Sequence, residues 1–163
     1  MVEDYAIGCR FRPSEEELLY LLRDKVTNPR FQYDQVKEKK LYGEGASPWN
    51  VFSDDDLQRE LFDDNGSNGN KRMVYVFTEL NKLSAKKAAR TAGSGTWDGE
   101  AKITTVQDMI TGELFGKRKM LSYVLHSVLH SGSEVKKGRW IMHEYAFAGA
   151  CLNGIGSSIH NTD

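Results

Sequence analysis

Hydrophobic positions change period once along this chain, near residue 71, dividing a helical part from an extended part. Leu18, Leu19, Leu22 and Val26 recur at helical spacing with Leu21 beside them, which makes one apolar face. Ser14 follows Pro13 and precedes Glu17 by three residues, the S/T-x-x-E capping box. In it a hydroxyl and a carboxylate each satisfy an otherwise orphan backbone N–H. Glu15, Glu16 and Glu17 lie at the positive end of the helix dipole, Arg23 and Lys25 at the negative end, and Thr27-Asn28-Pro29 stops the helix. Residues 30–47 are polar, with Val36, Leu41 and Tyr42 as a brief edge segment. Pro48-Trp49 follows, and a tryptophan there predicts a buried core aromatic. Ser53 before Asp54, Asp55 and Asp56 resembles a second N-cap, with Leu57, Leu61 and Phe62 as the apolar face of a short helix. Asp63 to Asn70 is a turn-rich loop.

Beyond Lys71 the runs Met73–Thr78, Ile103–Val106, Glu113–Phe115, Met120–Leu129 and Trp140–Phe147 are rich in β-branched and aromatic residues and predict strands. Thr111-Gly112 predicts a hairpin turn between two of them. No helical pattern separates the runs, which favours an antiparallel sheet and an α+β class. Residues 152–163 are polar and Gly/Ser-rich without a pattern, as expected of a frayed end or linker.

The 163 residues suit one domain with a sizeable core, and 39% hydrophobic with 28% charged residues is the balance of a soluble globular protein. No apolar run approaches the roughly 20 residues that span a bilayer. Glu3-Asp4 without a basic stretch ahead of an apolar one does not read as a secretory signal. Cys9 and Cys151 define no disulfide framework and point to a reducing compartment. The net charge of −1 conceals an asymmetry. Residues 1–70 carry 9 Lys/Arg against 15 Asp/Glu, whereas residues 71–140 carry 13 against 6. The basic second half implies either a polyanion-facing surface or clustered solvated charge.

Enzymatic constellations are thin. G-x-S-x-G is absent, and Gly93-Ser94-Gly95 lacks the Lys-Ser/Thr of a phosphate-binding loop. His126 and His130 have the spacing of two zinc ligands on a helix, but the segment alternates like a strand and no cysteine or third histidine is near. The aspartate run lacks the alternating ligand positions of a calcium loop. No catalytic residue, metal or cofactor is expected. Lys82 to Trp97 is more informative: four cations interleave with small residues, then a Gly-Ser-Gly turn, then an aromatic. Small side chains allow close approach to a duplex, and Lys and Arg neutralise phosphates.

Gly8, Arg10, Phe11, Pro13, Glu16, Glu17 and Leu18 match the G-F-R-F-x-P-T-D-E-E-L opening that the plant NAC domain carries, and this chain resembles that family. Leu41-Tyr42 and Pro48-Trp49 are similar to its next block. Arg90, Gly93, Ser94, Gly95 and Trp97 match R-x-x-G-S-G-Y-W-K-A-T-G. Gly116 to Tyr123 is similar to G-x-K-K-x-L-x-Y, and Trp140 to Tyr145 agrees with W-I-M-H-E-Y throughout. The blocks occur in the family's order and cover residues 5–148, leaving 149–163 as a tail or the start of a linker.

The resemblance implies a twisted antiparallel sheet between helices, in a nuclear transcription factor that binds double-stranded DNA as a homodimer or NAC heterodimer, without a membrane. It implies that the strand of the G-Y-W-K-A-T-G block enters the major groove. Arg90, Thr96, Trp97 and Asp98 are then on or beside the reading strand, with Trp97 either a contact or packing support. Lys82, Lys86, Lys87, Lys117, Arg118, Lys119, Lys136, Lys137 and Arg139 are the candidate phosphate contacts. The N-terminal block implies a dimer interface through Ala6, Ile7, Gly8, Arg10 and Glu17, with Arg10 and Glu17 paired across subunits or within the chain at the helix start.

Two departures qualify this. The family's K-A-T-G is Asp98-Gly99-Glu100-Ala101 here, which predicts two carboxylates on one strand face, and Thr96 replaces the aromatic before the tryptophan. The L-P-P-G lead-in is Tyr5-Ala6-Ile7-Gly8. The alternative is therefore a NAC-fold interaction and heterodimerisation module whose DNA binding is weakened or altered by Asp98 and Glu100. An enzyme is the least supported reading.

Overall fold

The computed structural model describes residues 11–53, 56, 58–59, 71–82, 88–126, 139–147 and 157–162. Its first element, α1 (Glu15–Thr27), starts at the capping box: Glu17 N–H donates to Ser14 Oγ at 3.1 Å and Ser14 N–H to Glu17 Oε2 at 2.9 Å. Leu19 and Leu22, both fully buried, anchor its apolar face, and each contributes about 1.5–3 kcal/mol of burial.

A short strand β1 (Val36–Glu38) and a one-turn helix α2 (Pro48–Val51) follow, the latter with proline at its start, where a missing N–H costs nothing. Trp49 is half-buried rather than a core residue. Its ring sets edge-on to Tyr123 at 5.6 Å, while Pro48 and Phe52 take the buried places and Phe52 stacks on Trp140. The helix predicted after Ser53 is not found among the described residues. Asp56 accepts the Ser53 N–H at 3.0 Å and its hydroxyl at 3.1 Å, a turn that forms half of a capping box, and Gln58–Arg59 (β2) pair with the next strand instead. Leu57, Leu61 and Phe62, the apolar face expected of that helix, lie outside the described residues.

The remaining strands are β3 (Lys71–Phe77), β4 (Asn81–Lys82), β5 (Ala88–Ala89), β6 (Thr91–Ala92), β7 (Gly95–Gln107), β8 (Leu114–Leu125), β9 (Arg139–Phe147) and β10 (Ser157–Thr162). The large sheet runs β1-β3-β10-β9-β8-β7-β6, antiparallel except for β1 on β3, with β2 also on β3; β4 and β5 form a separate ribbon. The predicted hairpin turn joins β7 to β8. Asp108 Oδ1 accepts the N–H groups of Ile110 and Thr111 at 2.8 and 3.0 Å, and Gly112 takes φ +70°.

Strand β10 corrects the expectation of a patternless tail after residue 148. It lies antiparallel between β3 and β9, with Ile159 opposite Val74 and Met142. Pairing uses backbone groups that every non-proline residue carries, so a Gly/Ser-rich segment can fill the slot without an alternating pattern.

The sheet has two covered faces. Val74, Val76, Trp97, Leu121, Trp140 and Met142 pack against Leu41, Tyr42, Ala46 and Phe52 on one. On the other, α1 packs Leu19 and Leu22 against Val106 and Tyr145, beside Val36 and Phe77. A Cβ on Gly116 would lie 2.7 Å from a Leu19 methyl, so the helix rests directly on the β8 backbone. No helix of the described residues is long and apolar enough to cross a membrane.

Candidate nucleic-acid interface

Strand β7 follows the Gly93-Ser94 turn and lies near the sheet edge, since β6 pairs only with Gly95 and Thr96. Side chains alternate along its start. Gly95 and Trp97 are buried, Asp98 is exposed, and Thr96 is partly exposed. Asp98 faces Ser122, and Thr96 faces Val124, on β8. Helix α1 covers this side of the sheet further along, at Val106 and Gly116, and leaves Thr96, Asp98 and Val124 open, the last 49% exposed.

The register then slips. Gly99 pairs with Leu121 and Ile103 with Lys119, so four steps along β7 answer two along β8. Glu100, Ala101 and Lys102 occupy this irregular, exposed stretch. Glu100 is exposed one residue past the last regular pair, Gly99 with Leu121, at the start of the slipped stretch.

The turn is held by contacts within the chain. Ser94 N–H donates to Ser47 Oγ at 3.2 Å, and the Tyr123 hydroxyl donates to the Ala92 carbonyl at 2.6 Å. A Cβ on Gly93 would stand 2.0 Å from Ser47 Oγ, and one on Gly95 2.4 Å from the Val124 carbonyl oxygen. The small residues of G-S-G are needed first for these approaches.

Trp97 is 2% exposed and packs edge-on against Tyr123 at 5.3 Å, on the covered side of the strand. Of the two roles expected of it, its position suits packing support, because its side chain lies on the face opposite Asp98. Arg90 is likewise turned inward. Its Nη2 donates to Glu144 Oε1 at 2.7 Å, with 16% and 7% of the two side chains exposed. The Tyr42 hydroxyl donates to the other Glu144 oxygen at 2.9 Å, and burial, followed by the Glu144 charge, pushes its pKa up. The Arg90 carbonyl accepts the Trp97 N–H at 2.9 Å. Arg90 thus fixes where the strand begins.

The other candidates are distributed unevenly. Lys117 is exposed. Arg118 pairs with the Glu15 carboxylate and so pins α1 to β8. Lys119 lies across Gly99: a Cβ there would be 2.4 Å from its Cε and 3.0 Å from its Nζ. Its ammonium therefore sits beside the β7 backbone, one residue past Asp98. Arg139 is exposed at the start of β9. Lys82 is described in its backbone alone, while Lys86, Lys87, Lys136, Lys137, Ala6, Ile7, Gly8 and Arg10 lie outside the described residues. Glu17 belongs to the helix cap.

Two residues of this surface, Lys102 and Val124, were not singled out from the sequence, and His126 was considered there only as a zinc ligand. Lys102 stands exposed in the slipped stretch, Val124 presents its isopropyl group, and His126 Nε2 bonds Thr96 Oγ1. Lys102 lies on β7 itself, whereas the cross-strand register is what brings Val124 and His126 beside it, and that register has no local sequence signal. His130 lies outside the described residues. Among the described residues, no group of three or more His, Cys, Asp or Glu is placed to hold a metal ion.

The family model described as "No apical meristem (NAM) protein" matches residues 6–147. The relative "NAC domain-containing protein 101" of Arabidopsis thaliana is 31% identical over 141 residues, 85% of this chain and 36% of that protein. "Transcription factor JUNGBRUNNEN 1" of the same plant is 31% identical over 142 residues, covering 85% of this chain and 44% of its own length. "NAC domain-containing protein 78" is 28% identical over 160 residues, 95% of this chain but 25% of that relative. The chain therefore spans less than half the length of each of these relatives.

Proposed function

Since this chain belongs to the NAC (no apical meristem) family, one of plant transcriptional regulators and not of enzymes, we propose that it is a sequence-specific double-stranded DNA-binding domain. It dimerises through residues 5–17 and lays β7 into the major groove, acting in the nucleus. The observation that supports this reading is the open side of β7 near the sheet edge: Asp98 is exposed and Thr96 partly exposed beside Val124 of β8, Lys102 is exposed further along the strand, and Lys119 lies against Gly99 on the other face. A major groove about 12 Å wide admits extended strands, and cations beside them neutralise phosphates. Arg90, largely buried, and Trp97, buried, hold this strand in place from behind.

Binding to a duplex carrying a CGT core, followed by gel shift at two salt concentrations, tests the reading. Complex formation that weakens as salt rises is expected, since released counterions drive it. No complex even at low salt overturns it. Dimerisation is checked separately by sedimentation equilibrium.

A second reading is favoured by one specific observation, the exposed carboxylates of Asp98 and Glu100 on and beyond the open ribbon. Near phosphates these are repulsive, and the domain would then act through its dimer surface. Asp98→Lys together with Glu100→Thr discriminates: a large gain in affinity for the CGT duplex supports the second reading, and unchanged affinity rules out the carboxylates as a cause of weak binding.

A further inference from the structure

Asp98 is exposed on the open side of β7, and among the described residues no side chain pairs with it. Across the ribbon stand Ser122, directly opposite, and Val124, opposite Thr96 and 49% exposed. Directly opposed Cβ atoms lie about 5 Å apart, and alternate residues along a strand lie about 6.5 Å apart, close to two base steps. Thr96 is already engaged by His126. The open side thus offers one ionic acceptor and one apolar group within about two base pairs of each other.

We propose that Asp98 is a specificity-determining residue which accepts a hydrogen bond from the N4 amine of a cytosine in the major groove, with Val124 against a nearby thymine methyl. This rests on the DNA-binding reading above and adds to it the base that is read.

The choice of cytosine follows from donor and acceptor patterns. An ionised carboxylate only accepts, so it needs a base-edge donor. Guanine presents N7 and O6, both acceptors, and thymine presents O4, so both repel it. Adenine offers its N6 amine but sets the N7 acceptor beside it. Cytosine presents the N4 amine with no acceptor on its own major-groove edge, and it alone suits a single carboxylate. Lys119 makes the arrangement tolerable near phosphates, because its ammonium lies across Gly99 on the other side of the same strand. Gly99 permits this crossing, since any Cβ there would collide with the lysine Cε. The ribbon thereby carries an acceptor on one side and a cation on the other at adjacent positions.

Binding-site selection from a random duplex pool, performed in parallel on the wild-type chain, Asp98→Asn and Asp98→Arg, tests the proposal. The expected result is one position that changes from cytosine to adenine with asparagine and to guanine with arginine, the bases those side chains bond bidentately. The rest of the selected site stays the same. A second measurement replaces that cytosine by a 2-pyrimidinone, which lacks the amine. The wild type should lose about tenfold or more in affinity, and Asp98→Ala little further, because both changes remove the same bond. Identical selected sites from all three proteins, or equal losses for wild type and Asp98→Ala on the modified duplex, overturn the inference while leaving DNA binding intact. Failure of the wild type to select any duplex overturns the DNA-binding reading and this inference together.

Discussion

Arg90 and Glu144 stand 54 residues apart in the chain and join at 2.7 Å behind β7, Glu144 buried and Arg90 with 16% of its side chain exposed. The pair ties the residue ahead of the Gly-Ser-Gly turn to β9, while the Tyr42 hydroxyl occupies the second carboxylate oxygen. Removing one member leaves the other charge buried without its partner. Arg90→Met or Glu144→Met should therefore lower unfolding stability by about 3–5 kcal/mol. The double replacement should cost less than the two single changes combined, since no lone charge remains. Urea unfolding of the four proteins measures this, and strictly additive losses would show that the pair is not coupled.

Glu17 has two duties that a conservative change can separate. Its carboxylate accepts the Ser14 N–H, and in the proposed dimer it also faces the partner's arginine at position 10. Ser14→Ala removes the N-cap and should cost about 1 kcal/mol in the thermal unfolding of the monomer. Glu17→Gln keeps an oxygen for the cap but removes the charge. It should leave monomer stability nearly unchanged while weakening self-association modestly, because exposed ion pairs contribute about 1 kcal/mol or less. Equal dimer dissociation constants for wild type and Glu17→Gln would mean that Glu17 serves the helix alone.

Gly93 combines a left-handed backbone with a crowded site. Its φ is +57°, and a Cβ would stand 2.0 Å from Ser47 Oγ and 2.6 Å from the Ser47 backbone nitrogen. The backbone conformation alone costs an L-residue roughly 1–2 kcal/mol, and the collision adds to it. Gly93→Ala should lower the melting temperature by several degrees. Ser47→Gly in the same chain should restore little, because the backbone nitrogen stays in place. Full recovery in the double variant would place the cost in the hydroxyl contact instead.

Much of this architecture is legible locally. The capping box of Ser14 and Glu17, the α1 face through Leu19 and Leu22, and the β7–β8 hairpin at Thr111-Gly112 all lie within short windows of sequence. What escaped depends on contacts between distant residues. Ser53 and its acids look like a helix start, but Gln58–Arg59 find backbone partners on β3. Ser157–Thr162 show no side-chain pattern because their place in the sheet rests on backbone pairing. In the candidate interface, the position of Arg90 in a cationic stretch suggests a DNA contact. Its partner, Glu144, sits in a separate block that local spacing does not connect to it. The division between buried Trp97 and exposed Asp98 follows strand alternation, and the two extra residues before Ile103 begin at Gly99, the kind of strand glycine that marks a bulge.

The packing of α1 on the sheet should also fail in alkali, through Tyr145. This tyrosine is buried on the α1 side, and its hydroxyl donates to Glu15 at 3.5 Å. Burial first, and then the Glu15 charge, pushes its pKa from 10.0 up to about 12, so the folded chain holds the phenolic proton more tightly than the unfolded chain does. A raised folded value means that the contribution is fully present below pH 10 and is lost as pH rises toward 12. Tyr42, also shifted upward by burial, acts in the same direction, so the alkaline loss belongs to both. Urea midpoints at pH 8 and pH 11.5 should therefore fall more for the wild type than for Tyr145→Phe, which keeps the ring and removes the proton. Tyr145→Phe should also show little change at pH 8, where the bond to Glu15 is long and contributes weakly. An unchanged difference between the two pH values would show that Tyr145 takes no part in the alkaline transition.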